Sequence, residues 1–230
     1  MQLIRKFHKV ESEHALFELG REQELPIWSI LRYHVFLKYY YPEAERKRLA
    51  TVRRHPLSDY FLLLPHFVRA LFKVFFQRGE NVVIPASRSR NSAGEYFDKS
   101  ALAVIELLGK NGLVLEAVSG KKLRYDHVYD FVHVFRRFCH AQELPREFYR
   151  RIDAALVSGF GANKISYEEL NVVYHAYQSD LLYYRWLFRL KRTRKVFIAE
   201  GNPTASLRAA QVRGATTYLL QHAAIELDEV

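Results

Sequence analysis

The chain has 230 residues, 49% of them hydrophobic, and a formal net charge of +10 at pH 7. This apolar content is sufficient for a folded core and excludes a disordered chain. The single cysteine, Cys139, cannot form an internal disulfide, which favours a reducing compartment and predicts a cytoplasmic protein. The positive charge suits three kinds of partner: nucleic acid, an anionic membrane surface or a phosphorylated small substrate.

Residues 1–78 are predicted to form a helical N-terminal segment. An amphipathic pattern covers residues 11–19 and is followed by Gly20, which is suited to ending a helix. Pro26 then opens a mostly apolar helix over residues 27–40, because proline is tolerated in the first helical turn.

The second half of this segment is basic and then strongly apolar. Residues 42–55 form a basic connection, and residues 57–77 form an apolar helical stretch that either packs on the core or lies in a bilayer interface. We expect neither a signal peptide nor a membrane span, because no apolar run is long enough.

A strand–helix–strand pattern begins after this segment. Residues 82–86 read as a buried strand, residues 87–98 as a polar loop, residues 100–108 as a helix and residues 113–118 as a second strand. This is the unit from which parallel sheets are built.

The polar loop carries two arginines that suit an anion. Arg88 and Arg90 present forked donors that match a phosphate or carboxylate group. The alternative is an exposed basic turn with no ligand, and the sequence alone leaves both interpretations open.

Three helical patterns follow, over residues 125–141, 145–157 and 167–190. Together they predict a helical insertion spanning residues 125–193. The insertion would interrupt an α/β domain that extends from residue 79 to residue 230.

A second strand–helix–strand unit closes the chain. Residues 196–199 and 216–220 read as strands and residues 204–213 as the helix between them. The residues after the two strands are Glu200, Asn202, Gln221 and His222. Since ligands bind outside the carboxyl ends of parallel strands, these side chains are candidates for a site.

Each candidate has a functional and a structural interpretation. Free imidazole changes its charge near neutrality, so His222 is either a general base or a histidine satisfied within the structure. Glu200 is the alternative base or orients His222, and Asn202 most simply caps the following helix. His127, His133 and His140 are six and seven residues apart, which does not match metal-ligand spacing on a helix, so we expect neither a metal nor a cofactor.

Residues 219–222 read Leu-Leu-Gln-His at a predicted strand end, and residues 199–210 precede them. These two segments resemble the strand-end motif, and the segment before it, of bacterial surface-polysaccharide glycosyltransferases and, more distantly, of the CDP-glycerol glycerophosphotransferases. Residues 25–32 are similar to their N-terminal Pro-Ile-Trp segment, and residues 87–98 to their first loop after a strand. Ala223 stands where the family has glycine.

This resemblance implies half of a GT-B fold: a Rossmann-like parallel sheet with a helical N-terminal segment and a helical insertion. The domain would hold the acceptor, and a second domain or chain would hold the nucleotide-activated sugar. His222 or Glu200 would be catalytic. Substrate would be bound by Arg88, Arg90, Asn91, Tyr96, Asp98, Asn202 and Gln221.

The implied acceptor is a glycan or a lipid-linked glycan, which would bring the protein to the inner face of the cytoplasmic membrane. Two alternatives remain at this point. The charge and the interleaved aromatic residues also fit a nucleic-acid-binding module, although no known nucleic-acid motif is present. The chain would otherwise be a non-catalytic partner subunit.

Overall fold

A computed structural model describes residues 2–20, 27–41, 68, 72–77, 79–86, 89–116, 122–139, 141–199 and 204–220. The chain forms two compact units. The first combines Met1–His55 with His140–Gln178, and the second combines Pro56–Cys139 with Ser179–Val230. The segment boundary that the sequence suggests, between residues 78 and 79, stays a prediction.

The helices are α1 (Gln2–Glu13), α2 (Ile27–Tyr40), α3 (Lys99–Leu108), α4 (Val132–Phe138), α5 (Arg146–Phe160), α6 (Tyr167–Leu190) and α7 (Thr204–Arg213). The strands are β1 (Asn81–Ile84), β2 (Ser89–Arg90), β3 (Tyr96–Phe97), β4 (Gly112–Glu116), β5 (Val128–Tyr129), β6 (Lys195–Ala199) and β7 (Thr216–Leu220). Residues 72–76 are also helical. They belong to the stretch 57–77 that the sequence predicts as helical, of which residues 57–67 and 69–71 lie outside the described part.

The second unit contains a five-stranded parallel sheet in the order β5-β4-β1-β6-β7. Val83 of β1 lies opposite Val114 on one side and Phe197 on the other. The central strands are continuous apolar runs because parallel strands are covered on both faces. Helix α3 packs on one face, where Ala101 and Ile105 join Val83 in a buried cluster. The predicted Rossmann-like α/β fold is therefore confirmed.

The sequence prediction of one helix over residues 125–141 was wrong. Val128 and Tyr129 form strand β5, which pairs with Leu115 and Glu116 of β4. The helix in this region is α4 and spans only Val132–Phe138. A two-residue strand has no periodicity of its own, so only its pairing with β4 reveals it.

The first helix also differs from its predicted range. It covers Gln2–Glu13 rather than residues 11–19, because Phe7 and Val10 already belong to its buried face. Ala15 adopts a left-handed backbone (φ 46°), which ends the helical path before a single 3₁₀ turn at Leu16–Glu18. Helix α2 begins at Ile27, directly after Pro26, as predicted.

In the first unit, a buried carboxylate joins α1 to α2. Glu11 is 2% exposed and accepts hydrogen bonds from Trp28 Nε1 at 2.9 Å and from Arg32 Nη2 at 3.1 Å. Arg32 also donates to it through Nε. The tryptophan and arginine of the Pro-Ile-Trp segment therefore hold two helices together, since a buried charge requires this kind of pairing.

Candidate functional site

Three strands that precede candidate residues end side by side at one edge of the sheet. Ile84 of β1 lies opposite Ile198 of β6, and Ala199 of β6 lies opposite Leu220 of β7. The strand order reverses between β1 and β6, since the chain builds outward from β1 to β5 and then from β6 to β7. In open α/β sheets, the crevice at such a reversal is where ligands bind.

The residues predicted to act at this edge lie largely outside the described part of the chain. These residues are Arg88, Glu200, Asn202, Gln221 and His222. In the sequence they come within four residues of the ends of β1, β6 and β7. Their side-chain positions and roles stay predictions.

The described part of the first loop is a short hairpin. Strands β2 and β3 pair antiparallel, with Arg90 opposite Tyr96. The side chain of Asn91 closes the turn: its Oδ1 accepts from the backbone N of Glu95 at 2.8 Å, and its Nδ2 donates to Glu95 Oε2 at 3.2 Å. Gly94 supplies the left-handed backbone (φ 77°) that this turn needs.

Arg90 is exposed and lies over the ring of Tyr96, with 5.6 Å from its guanidinium carbon to the ring centre. The ring reduces the freedom of the guanidinium and leaves its forked donors at the surface. Next to it, Lys122 pairs with Glu95 at 3.0 Å. The hydrogen bonds from Lys122 and Asn91 lower the pKa of the Glu95 carboxyl.

Asp98 fixes the base of the loop from inside. It is fully buried, and its carboxylate accepts hydrogen bonds from the backbone N of Ala86 at 2.9 Å, Ser100 at 2.8 Å and Ala101 at 3.0 Å. It therefore caps α3 and ties that helix to the chain leaving β1. Direct substrate contact by Asp98, which the resemblance implies, would require this carboxylate to leave those amides.

The same cap affects what α3 can bind. In a dinucleotide-binding fold, the amides at the start of the helix after the first strand hold a pyrophosphate. Here the Ser100 and Ala101 amides already donate to a carboxylate, which would also repel a phosphate. The arrangement does not suit a nucleotide pyrophosphate at this helix.

Sequence reasoning missed a second group of polar residues at the ends of β4 and β5. Glu116 ends β4, is fully buried and accepts from Tyr125 Oη at 2.5 Å. Asp130 follows β5, is 2% exposed and accepts from Tyr184 Oη at 2.7 Å. The mistaken helix over residues 125–141 concealed Asp130, because only a strand end would have marked it as a candidate, and the predicted strand over residues 113–118 placed Glu116 inside the strand rather than at its end.

Close to Asp130, Arg136 of α4 donates to both oxygens of Asp180 on α6, at 2.5 and 2.6 Å. Burial nevertheless raises the pKa of Asp180 to about 6, and burial also raises the pKa of Asp130. Burial together with the neighbouring carboxylates raises the pKa of the Tyr184 phenol well above its usual range. These buried contacts hold α4, α6 and the end of β5 together, so we interpret the network as stabilising the fold and not as contacting a ligand.

The parallel sheet and its strand order give the second unit a Rossmann-like α/β fold. No protein-family model, curated protein or solved structure matches the chain. Within the described ranges, no helix has the length and apolarity needed to cross a membrane.

Proposed function

We propose that this chain is the acceptor-side domain of a glycosyltransferase that acts in bacterial surface-polysaccharide assembly. The observation that supports it best is the strand order. It sets the ends of β1, β6 and β7 next to one another, and these strands precede Arg88, Glu200 and His222 respectively. Three of the four short motifs that resemble those of such enzymes, residues 87–98, 199–210 and 219–222, begin within or just after these strands.

The cap on α3 supports assigning the acceptor, rather than the nucleotide, to this domain. Because Asp98 occupies the first amides of that helix, the usual pyrophosphate position is taken. The nucleotide-activated sugar is accordingly held by a second domain or a second chain. Arg90, exposed and supported by Tyr96, suits a phosphate or an acidic sugar of the acceptor.

In the proposed reaction, His222 takes the proton of the acceptor hydroxyl, with Glu200 as the alternative base or as the group that orients the imidazole. The acceptor oxygen then bonds to the anomeric carbon of the donor sugar. The bond from that carbon to the nucleotide phosphate breaks, and the phosphate leaves with the bonding electrons. The acceptor is a glycan or a lipid-linked glycan, so the protein works in the cytoplasm at the inner face of the membrane.

The test is transfer of a labelled sugar by the complete enzyme, meaning this chain together with its donor-binding part. His222→Ala should abolish transfer and leave acceptor binding intact. Arg90→Ala should raise the KM for the acceptor about tenfold or more, the usual scale for a charged hydrogen bond. Arg150→Ala, on the exposed face of α5, is the control and should change neither quantity. Unchanged turnover in His222→Ala would reject the assignment.

A further inference from the structure

The second half of α6 exposes an apolar stripe. Leu182, Trp186 and Leu190 recur every four residues, so they share one face of the helix, and all three are exposed. Trp186 is 43% exposed, although aromatic side chains of this size are usually covered. Arg185 and Arg189 are also exposed and flank the stripe on one side.

A second exposed apolar segment meets the end of this helix. In residues 72–76, Val74 is buried, whereas Phe72, Phe75 and Phe76 point outward, and Phe76 is 74% exposed. The two segments join at Lys191, whose ammonium donates to the backbone carbonyl of Gln77.

The backbone at Gly79 makes this junction possible. A Cβ at that position would lie 2.8 Å from the Cβ of Lys191, so only glycine allows the close approach. The ends of the two apolar segments are therefore held together by both packing and a hydrogen bond.

Cations predominate around these segments, although Lys73 in the phenylalanine segment pairs with the mostly exposed Asp126. The sequence from residue 181 to residue 199 contains no aspartate or glutamate. Its cations are Arg185, Arg189, Lys191, Arg192, Arg194 and Lys195. Glu80 lies next to this stretch, and its contact with Arg194 is long, at 4.0 Å between mostly exposed groups. Such a surface favours an anionic partner.

We infer that Leu182, Trp186, Leu190, Phe72, Phe75 and Phe76 form a docking surface for an anionic lipid bilayer. Exposed tryptophan and phenylalanine beside arginines are the composition that lies at the boundary between headgroups and acyl chains. The aromatic and leucine side chains enter the boundary, and Arg185 and Arg189 contact lipid phosphates. A bilayer also needs no shaped groove to cover two separate apolar segments. The inference does not depend on glycosyl transfer, since lipid binding is measured without any sugar.

The chain carries its own probe for this contact. It has two tryptophans, and Trp28 is 1% exposed in the first unit. A change in emission on adding vesicles therefore reports on Trp186. With phosphatidylcholine vesicles that contain phosphatidylglycerol, we expect a blue shift and quenching by lipids brominated on the acyl chains. Phosphatidylcholine alone should bind much more weakly.

Charge-reversal variants test the arginines. Arg185→Glu with Arg189→Glu should weaken vesicle binding about tenfold or more, given the attraction of each cation to an anionic surface. Arg150→Glu with Arg151→Glu makes the same change of charge on an exposed part of α5 and should have a much smaller effect. Far-UV circular dichroism checks that both variants remain folded.

Leucine variants test the apolar part separately. Leu182→Ser with Leu190→Ser keeps the charge and the tryptophan probe, and should also weaken binding about tenfold. Three results would overturn the inference: no binding to anionic vesicles, equal binding by the two charge-reversal variants, or flotation with vesicles while Trp186 emission stays unshifted and unquenched. The last result would assign lipid contact to another surface. If this face bound a protein and vesicles had no effect on Trp186 emission, the partner of the face would be that protein instead of a bilayer.

Discussion

Replacing Asp98 tests whether the loop after β1 is shaped from inside. Asp98→Ala removes a carboxylate that accepts from the backbone N of Ala86, Ser100 and Ala101. Loss of a helix N-cap costs about 1 kcal/mol, and loss of a further hydrogen bond to a charged group costs about 1–2 kcal/mol. We therefore expect the free energy of unfolding to fall by about 2–3 kcal/mol.

Two milder variants separate these contributions. Asp98→Asn keeps the oxygen that caps α3 but places an NH₂ group opposite the amide of Ala86, so it should lose about 1–2 kcal/mol. Asp98→Ser keeps a capping hydroxyl and is too short to reach Ala86, so it should also lie between wild type and alanine.

Urea unfolding followed by circular dichroism measures all three variants. If Asp98 instead pointed to solvent and contacted substrate, Asp98→Ala would change the unfolding free energy by less than about 0.5 kcal/mol. That result would refute the role assigned to the buried carboxylate. A stable variant with impaired acceptor binding would instead support the direct substrate contact that the family resemblance implies.

Three further perturbations follow from buried contacts, and urea unfolding reads out each. Gly159→Ala places a methyl group 2.0 Å from Val10 Cγ2, so the free energy of unfolding should fall by about 1–3 kcal/mol. Adding Val10→Ala to the same chain should recover part of this loss, and full stability of Gly159→Ala alone would contradict this packing. The folded state binds the Asp180 proton more tightly than the unfolded state does, because burial raises the pKa of this carboxyl to about 6. Its contribution to the free energy of unfolding should therefore fall by about 2–3 kcal/mol as the pH rises from about 4 to about 6. Asp180→Asn should lack this part of the pH dependence. An identical pH slope in the variant would contradict the raised pKa. Glu11→Gln should lower the free energy of unfolding by about 1–3 kcal/mol because it weakens buried charged hydrogen bonds. Glu13→Gln, on the exposed surface of the same helix, should lower it by less than about 0.5 kcal/mol. Equal losses in the two variants would contradict a stabilising role of the buried Glu11 carboxylate.

The long, strongly patterned elements could be predicted from the sequence. Helix α6 and helix α7 have the expected bounds, and strands β6 and β7 follow from apolar runs bounded by turn residues. The short strand β5 could not be predicted. Its two residues are stabilised by pairing with β4, an earlier part of the chain, and two residues are too few to form a local pattern.

The candidate site divides in a similar way. The sequence identified the strand ends, and the parallel order of β1, β6 and β7 brings those ends together. It could not show that both polar atoms of the Asn91 side chain close a turn, or that Asp98 is buried beneath the loop. Residue type alone does not distinguish a polar side chain that meets a ligand from one that satisfies nearby backbone groups.

The most direct test of the central claim is the incorporation of labelled sugar into a lipid-extractable product. The complete enzyme is incubated with a panel of nucleotide sugars and a lipid-linked glycan acceptor, with His222→Ala beside the wild type and Arg150→Ala as the control. We predict incorporation by the wild type and the control, and none by His222→Ala, which still binds the acceptor. Equal incorporation by all three proteins would contradict a catalytic site at the carboxyl edge of this sheet.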